Sequence, residues 1–273
     1  MTAALLSRNN KEAWETAKSR GEALLIGYLV AGDPSPAESL AIVDESVEAG
    51  IDIVEMGIPS RSPKLDGAVI KRGHERALAG GIGTEDSFMA YWTAARRRLS
   101  VPIWAMGYKR DVLDTNLYRK LAEGGMVDAL VLPDCTPEEL ISLQDRIGPY
   151  GVDVVRFVNS EMDEAAIRQV CRGATVIYAQ SYAGTTGDPL AHVEDLSVLC
   201  ERIRQHLPDG LLVAGFGLRS PQRVGQAVRS GFDGAVVGSA LVARCENGEK
   251  DYLYRLVAEM KMETLRSSSE GIT

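Results

Sequence analysis

Residues 23–38 read ALLIGYLVAGDPSPAE, and the fold is decided by how this stretch is understood. Residues 23–31 form a nearly continuous apolar run that ends at Gly32-Asp33-Pro34. A strand wetted on one face alternates apolar and polar residues, whereas an unbroken run suits a strand buried on both faces, as in a parallel sheet covered by helices. A helix start follows at once. Ser35 offers an N-cap oxygen, Pro36 presets the first helical φ, and Glu38 stands three residues beyond the cap. Leu40, Ile42, Val43 and Val47 supply the apolar positions of that helix, and Gly50 closes it.

This βα unit recurs along the chain. Strands are expected at 51–58, 102–108, 128–132, 153–158, 175–181, 211–216 and 233–237, with amphipathic helices at 137–147, 161–171, 193–206 and 221–229 among the connections. Including the first strand, that makes eight strands, each followed by a helical stretch. Such short units force parallel strands and right-handed crossovers. Eight of them close naturally into an α/β fold of the (β/α)8 TIM-barrel type, for which about 250 residues is typical. An open doubly wound sheet is the alternative. Residues 9–20 predict an extra N-terminal helix that caps the barrel floor. No linker divides the chain, so a single domain is expected over 1–266, with 267–273 as a frayed tail.

Composition narrows the class. A formal net charge of −8 argues against nucleic-acid binding, which needs a basic stripe. The one basic cluster, Arg96 to Arg98, reads as a solvated helix C-terminus that complements the helix dipole. Cys135, Cys171, Cys200 and Cys245 are scattered, without a CxxC pair, so neither a metal site nor a disulfide framework is indicated. They read as small buried hydrophobes in a reducing compartment. The N-terminal apolar run is too short for a signal peptide, and no apolar stretch is long enough to span a membrane. A cytoplasmic protein is expected.

In a barrel, chemistry belongs at the carboxyl ends of the strands. Three glycine-bearing segments fall there: Ala183-Gly184-Thr185-Thr186-Gly187, Gly215-Phe216-Gly217 and Gly238-Ser239. Glycines let backbone N–H groups approach an anion, and a helix starting at Ser239 would aim its positive end inward. A phosphorylated small molecule is the ligand this predicts. Glu55 interrupts the otherwise apolar strand at 51–58, where desolvation would raise its pKa towards a value useful for proton transfer at neutral pH. A structural, hydrogen-bonded glutamate at the rim is the other reading. Asp66 supplies a second carboxylate, although an Asp-Gly pair by itself reads as a turn.

Taken in order, Ala31-Gly32-Asp33-Pro34, Glu55-Met56-Gly57-Ile58-Pro59, Leu65-Asp66-Gly67, Leu132-Pro133-Asp134, Gly184-Thr185-Thr186-Gly187, Gly215-Phe216-Gly217 and Gly238-Ser239-Ala240 resemble the tryptophan synthase α chain family. The resemblance runs from about Leu24 to Val242. It implies retro-aldol cleavage of indole-3-glycerol phosphate into indole and glyceraldehyde 3-phosphate, with no metal and no organic cofactor. By position, Glu55 and Asp66 match the family's catalytic carboxylates and Tyr178 a supporting tyrosine. Thr186 matches a threonine that contacts the aspartate when the loops close. Gly187, Gly217, Gly238 and Ser239 match the phosphate site, while Tyr28, Met106 and Tyr108 fall where the indole pocket is lined.

The chain also departs from the family's pattern. Ser62 replaces an aspartate that in the family helps communicate with a β subunit, and Arg61 and Lys64 add positive charge to the same loop. Tyr182 stands where the family generally has arginine, and Lys109-Arg110-Asp111 replaces an Asn-Pro-like turn. One explanation is drift of solvated loop charges with indole production retained. The other is retuning, through loss of the β partner or acceptance of a substrate with an extra acidic group beside Lys64 or Lys109. An aldolase or isomerase acting on another phosphorylated compound, and a catalytically weak subunit that activates a partner, are the competing functions.

Overall fold

The computed structural model describes residues 4–180, 196–215 and 217–266. Helix α1 (Arg8–Ser19) precedes β1 (Leu24–Val30), α2 (Pro36–Glu48) and β2 (Ile53–Gly57). Two helices follow β2, α3 (Ala68–Ala79) and α4 (Glu85–Arg98), and two short ones follow β3 (Ile103–Met106), α5 (Lys109–Val112) and α6 (Leu117–Glu123). Then come β4 (Ala129–Val131), α7 (Pro137–Ile147), β5 (Asp153–Asn159), α8 (Glu164–Cys171), β6 (Val176–Gln180) and α9 (Leu196–Arg204). β7 (Leu211–Gly215), α10 (Pro221–Arg229), β8 (Gly234–Val237), α11 (Ser239–Glu246) and α12 (Lys250–Met262) follow, and a short 3-10 turn at Gly148–Tyr150 extends α7.

All eight strands pair in parallel and in chain order, and β8 returns to β1 through the register Leu24↔Gly234 to Gly27↔Val237. That last pairing closes the barrel and removes the open sheet from consideration. Side chains alternate with period two. Leu24, Ile26, Ile53, Trp104, Val155, Val176 and Val213 pack together inside the barrel, while Leu25, Val54, Met56, Ile103 and Leu212 face the helices. Glu55, two residues on from Ile53, therefore points inward.

The floor is sealed by α1, as expected. Asp153 accepts hydrogen bonds from the backbone of Leu6 (2.9 Å) and Ser7 (3.1 Å) and from Asn10 Nδ2 (2.9 Å). Asp128 accepts from Ser7 Oγ (2.9 Å) and Asn9 Nδ2 (2.8 Å), and Trp104 Nε1 donates to Asn10 Oδ1 at 2.9 Å. Arg96 corrects one expectation. Instead of being solvated at a helix end, its guanidinium reaches Asp128 (3.0 Å) and the carbonyls of Leu99 (2.5 Å) and Val101 (3.0 Å). Arg97 is exposed and Arg98 pairs with Asp44.

Element boundaries moved where polar side chains cap the backbone. The predicted helix at 161–171 begins at Glu164, because Asp163 accepts from Ala166 N at 2.8 Å and Asn159 Oδ1 holds the Glu161 amide in a turn at 3.1 Å. The helix after β1 starts as expected, with Ser35 Oγ accepting from Glu38 N. Cys171, Cys200 and Cys245 are buried, Cys135 is half-buried, and all four are free thiols. Among the described residues, no helix is long and apolar enough to cross a membrane.

Candidate active site

A cavity opens among the carboxyl ends of the strands and is lined by Tyr28, Glu55, Asp66, Met106, Tyr178, Gly217, Gly238 and Ser239. Residues more than two hundred positions apart in sequence thus meet at one mouth. Tyr108 joins them through Asp66. Thr186 and Gly187, along with Tyr182, lie outside the described residues. The sequence reading missed Ile70, Val131, Pro133, Phe157, Leu218 and Val236, which complete the mostly apolar wall. Val131, Phe157 and Val236 sit at inward positions of their strands, so strict alternation could have found them.

Glu55 is buried, and no hydrogen bond reaches its carboxyl among the described residues. Desolvation, with a smaller contribution from the nearby Asp66 charge, pushes it up to about 8. The rim-glutamate reading expected hydrogen-bond partners, and none is present among the described residues. Asp66 is also buried but is tied down. Its backbone closes a turn onto Pro63 O (3.4 Å), while its Oδ2 accepts from Tyr108 Oη at 2.7 Å and lies 3.1 Å from His74 Nε2. Tyr108 Oη in turn accepts from Leu65 N at 3.2 Å. One carboxylate is thus poised to carry a proton near neutrality, and the other is held as a fixed acceptor.

Two tyrosines frame the cavity by the same device. Tyr28 pairs with Glu55 across β1–β2, and its ring leans along the strands over Gly57, where an added Cβ would come within 2.3 Å of the hydroxyl. Tyr178 pairs with Val213 across β6–β7 and leans over Gly215, where a Cβ would come within 2.2 Å of its hydroxyl. Each tyrosine occupies the space that a glycine two residues along the neighbouring strand leaves open. The Tyr178 ring also packs on Phe157, centroids 5.5 Å apart. The Tyr28 hydroxyl is buried and has no hydrogen-bond partner among the described residues.

Between the two tyrosines, beyond β7, Gly217 has φ +86, a left-handed conformation that a side chain disfavours. Gly238 is the N-cap of α11 and leaves the first-turn amides without a side-chain cap, so they remain available to an anion beside Ser239. Lys109, considered as a contact for an extra acidic group, is instead paired with Glu139. Lys64 is exposed. No group of three or more His, Cys, Asp or Glu side chains suited to a metal occurs among the described residues.

Fold and site together describe a closed βα-barrel whose mouth brings two buried carboxylates, Glu55 and Asp66, into one cavity with Gly217 and the uncapped start of α11. A family model described as "Tryptophan synthase alpha chain" matches residues 14–269. The tryptophan synthase alpha chain of Carboxydothermus hydrogenoformans is 34% identical over 260 residues, covering 92% of this chain and 96% of the relative. That of Citrifermentans bemidjiense is 36% identical over 82% of this chain and 84% of the relative. A solved structure of Mycobacterium tuberculosis tryptophan synthase superposes with a TM-score of 0.82 at 27% identity, covering 96% of this chain and 99% of that one. This chain belongs to the tryptophan synthase alpha chain family, a family of lyases.

Proposed function

We propose that the chain cleaves indole-3-glycerol phosphate to indole and glyceraldehyde 3-phosphate, with Glu55 as the proton-transfer group. The observation that carries this reading is a buried Glu55, raised to about 8, sharing one cavity with a fixed Asp66 and the Gly217–Gly238–Ser239 cup. Indole is a poor carbanion leaving group until its C3 is protonated. Neutral Glu55 gives its proton to C3, and positive charge spreads to the ring nitrogen. The Asp66 carboxylate accepts the ring N–H and stabilises that charge. The Glu55 carboxylate then takes the proton of the adjacent glycerol hydroxyl. Its oxygen becomes the aldehyde carbonyl, the carbon–carbon bond breaks, and the bonding pair restores the aromatic ring. Glu55 ends protonated, as it began. Apolar walls strengthen each of these interactions. The cup holds the phosphate, and Tyr28, Met106 and Tyr178 border the ring.

The test is to incubate the purified chain with indole-3-glycerol phosphate and assay indole, with Glu55→Gln and Asp66→Asn alongside. Indole from wild type and a loss of about 10²-fold or more in Glu55→Gln are expected. Absence of indole from wild type, alone or with a β subunit, would sink the reading. We further propose that any β-subunit contact is weaker than is usual in the family, because Ser62 stands in place of an acidic residue and Arg61 and Lys64 are charged and exposed. Co-elution with a β subunit together with strong mutual activation would refute that.

A further inference from the structure

His74 is buried on α3, eight residues beyond Asp66, with 1% of its side chain exposed. Its two ring nitrogens are both engaged. Nδ1 accepts the backbone N–H of Ser60 at 3.2 Å, and Nε2 lies 3.1 Å from Asp66 Oδ2. A nitrogen that accepts an N–H carries no proton of its own, so Ser60 fixes the neutral tautomer with hydrogen on Nε2, and that hydrogen is donated to Asp66. Tyr108 Oη donates to the same Oδ2 at 2.7 Å. Both protein donors therefore take one oxygen, and no hydrogen bond from a described residue reaches the other.

We propose that His74 is a positioning residue for Asp66: through the chain Ser60 N–H to Nδ1 and Nε2–H to Oδ2, it orients the carboxylate so that Oδ1 is presented to the substrate's ring N–H. The proposal rests on the reading of Asp66 as the acceptor of that N–H. A neutral donor suits the task better than an arginine or lysine. It fixes the carboxylate's orientation without cancelling the negative charge that must stabilise a cationic ring. It also joins the loop after β2 to α3 through the Ser60 N–H, and within that loop Ser60 Oγ accepts from Ser62 N at 3.1 Å.

The test combines His74→Leu, which removes both bonds, with His74→Gln, whose amide keeps a donor and an acceptor. In the indole assay, His74→Leu should lower kcat about 10–100-fold with little change in KM, and His74→Gln should recover most of it. In an Asp66→Asn background, His74→Leu should cost no more than about twofold further, because the group it orients is gone. A wild-type-like kcat in His74→Leu, or full additivity with Asp66→Asn, overturns the proposal. A readout that needs neither turnover nor a foldable variant is the ¹⁵N spectrum of His74 in wild type. A protonated Nε2 and unprotonated Nδ1 support the proposal, and the reverse tautomer overturns it. If wild type makes no indole, the reaction reading fails while the tautomer measurement still decides whether the hydrogen-bond chain exists.

Discussion

Burial, with a smaller contribution from the Asp66 charge, pushes Glu55 up to about 8, and two pH effects follow from that value. In the proposed mechanism the acid form starts the reaction, so kcat/KM should fall on the alkaline side through about pH 8, and a pH–rate profile checks this. Stability moves the same way. The folded pKa lies above the unfolded one, so the folded state binds more protons between about pH 4.5 and 8, and stability falls as pH rises through that window. Glu55→Gln should flatten that slope in denaturant titrations at pH 6 and pH 9. Tyr28 makes a second case. Its buried hydroxyl finds no partner among the described residues. Tyr28→Phe should therefore stabilise the free protein by about 1 kcal/mol, a rise of roughly 2–4 °C in Tm, measured by thermal melting. A lower Tm would mean the hydroxyl is satisfied in solution. At this scale, legibility depended on contrast. Glu55 stood out as a charge in an apolar strand, and the glycines clustered where barrels bind phosphate. His74 carried no such signal, because nothing in its neighbours along the chain marks a side chain that reaches back from a helix to a loop.

The βα units were legible element by element, since a continuous apolar run followed by a cap and an amphipathic stretch has few other physical solutions. Closure was not, because the same units fit an open sheet; it depends on β8 meeting β1 across the length of the chain. The start of α8 was misplaced because a single Asp163 side-chain bond outweighed apolar periodicity. Helix α1 was expected, but its anchoring was not: Asp128 and Asp153 gather donors from Leu6, Ser7, Asn9 and Asn10 at the floor, away from the chemistry. Asp153→Ala should leave several buried donors unsatisfied and cost about 3 kcal/mol. Hydrogen exchange should quicken across α1 at pH 7, while the rate of indole formation at 25 °C stays within about twofold, since conserving the floor serves stability. Unchanged exchange would show that α1 is held by its apolar face alone.

Across the whole molecule, ligand binding and stability share one equilibrium. A phosphate ester that occupies the cup between β7 and β8 stabilises the barrel by mass action, about 2.7 kcal/mol at a hundred times its Kd. Glycerol 3-phosphate should therefore raise Tm in a concentration-dependent way. Gly217→Val, which forces a branched side chain into a left-handed backbone, should abolish most of that shift. An equal shift in the variant would place the anion elsewhere. The paired tyrosines and glycines have a consequence over evolutionary time. Tyr28 with Gly57, and Tyr178 with Gly215, each share one volume between adjacent strands. A methyl group on either glycine would have to push its tyrosine ring aside, whereas the tyrosine can shrink without hindrance. The easier order has the aromatic yielding first, so across diverging lineages these positions should change as couples.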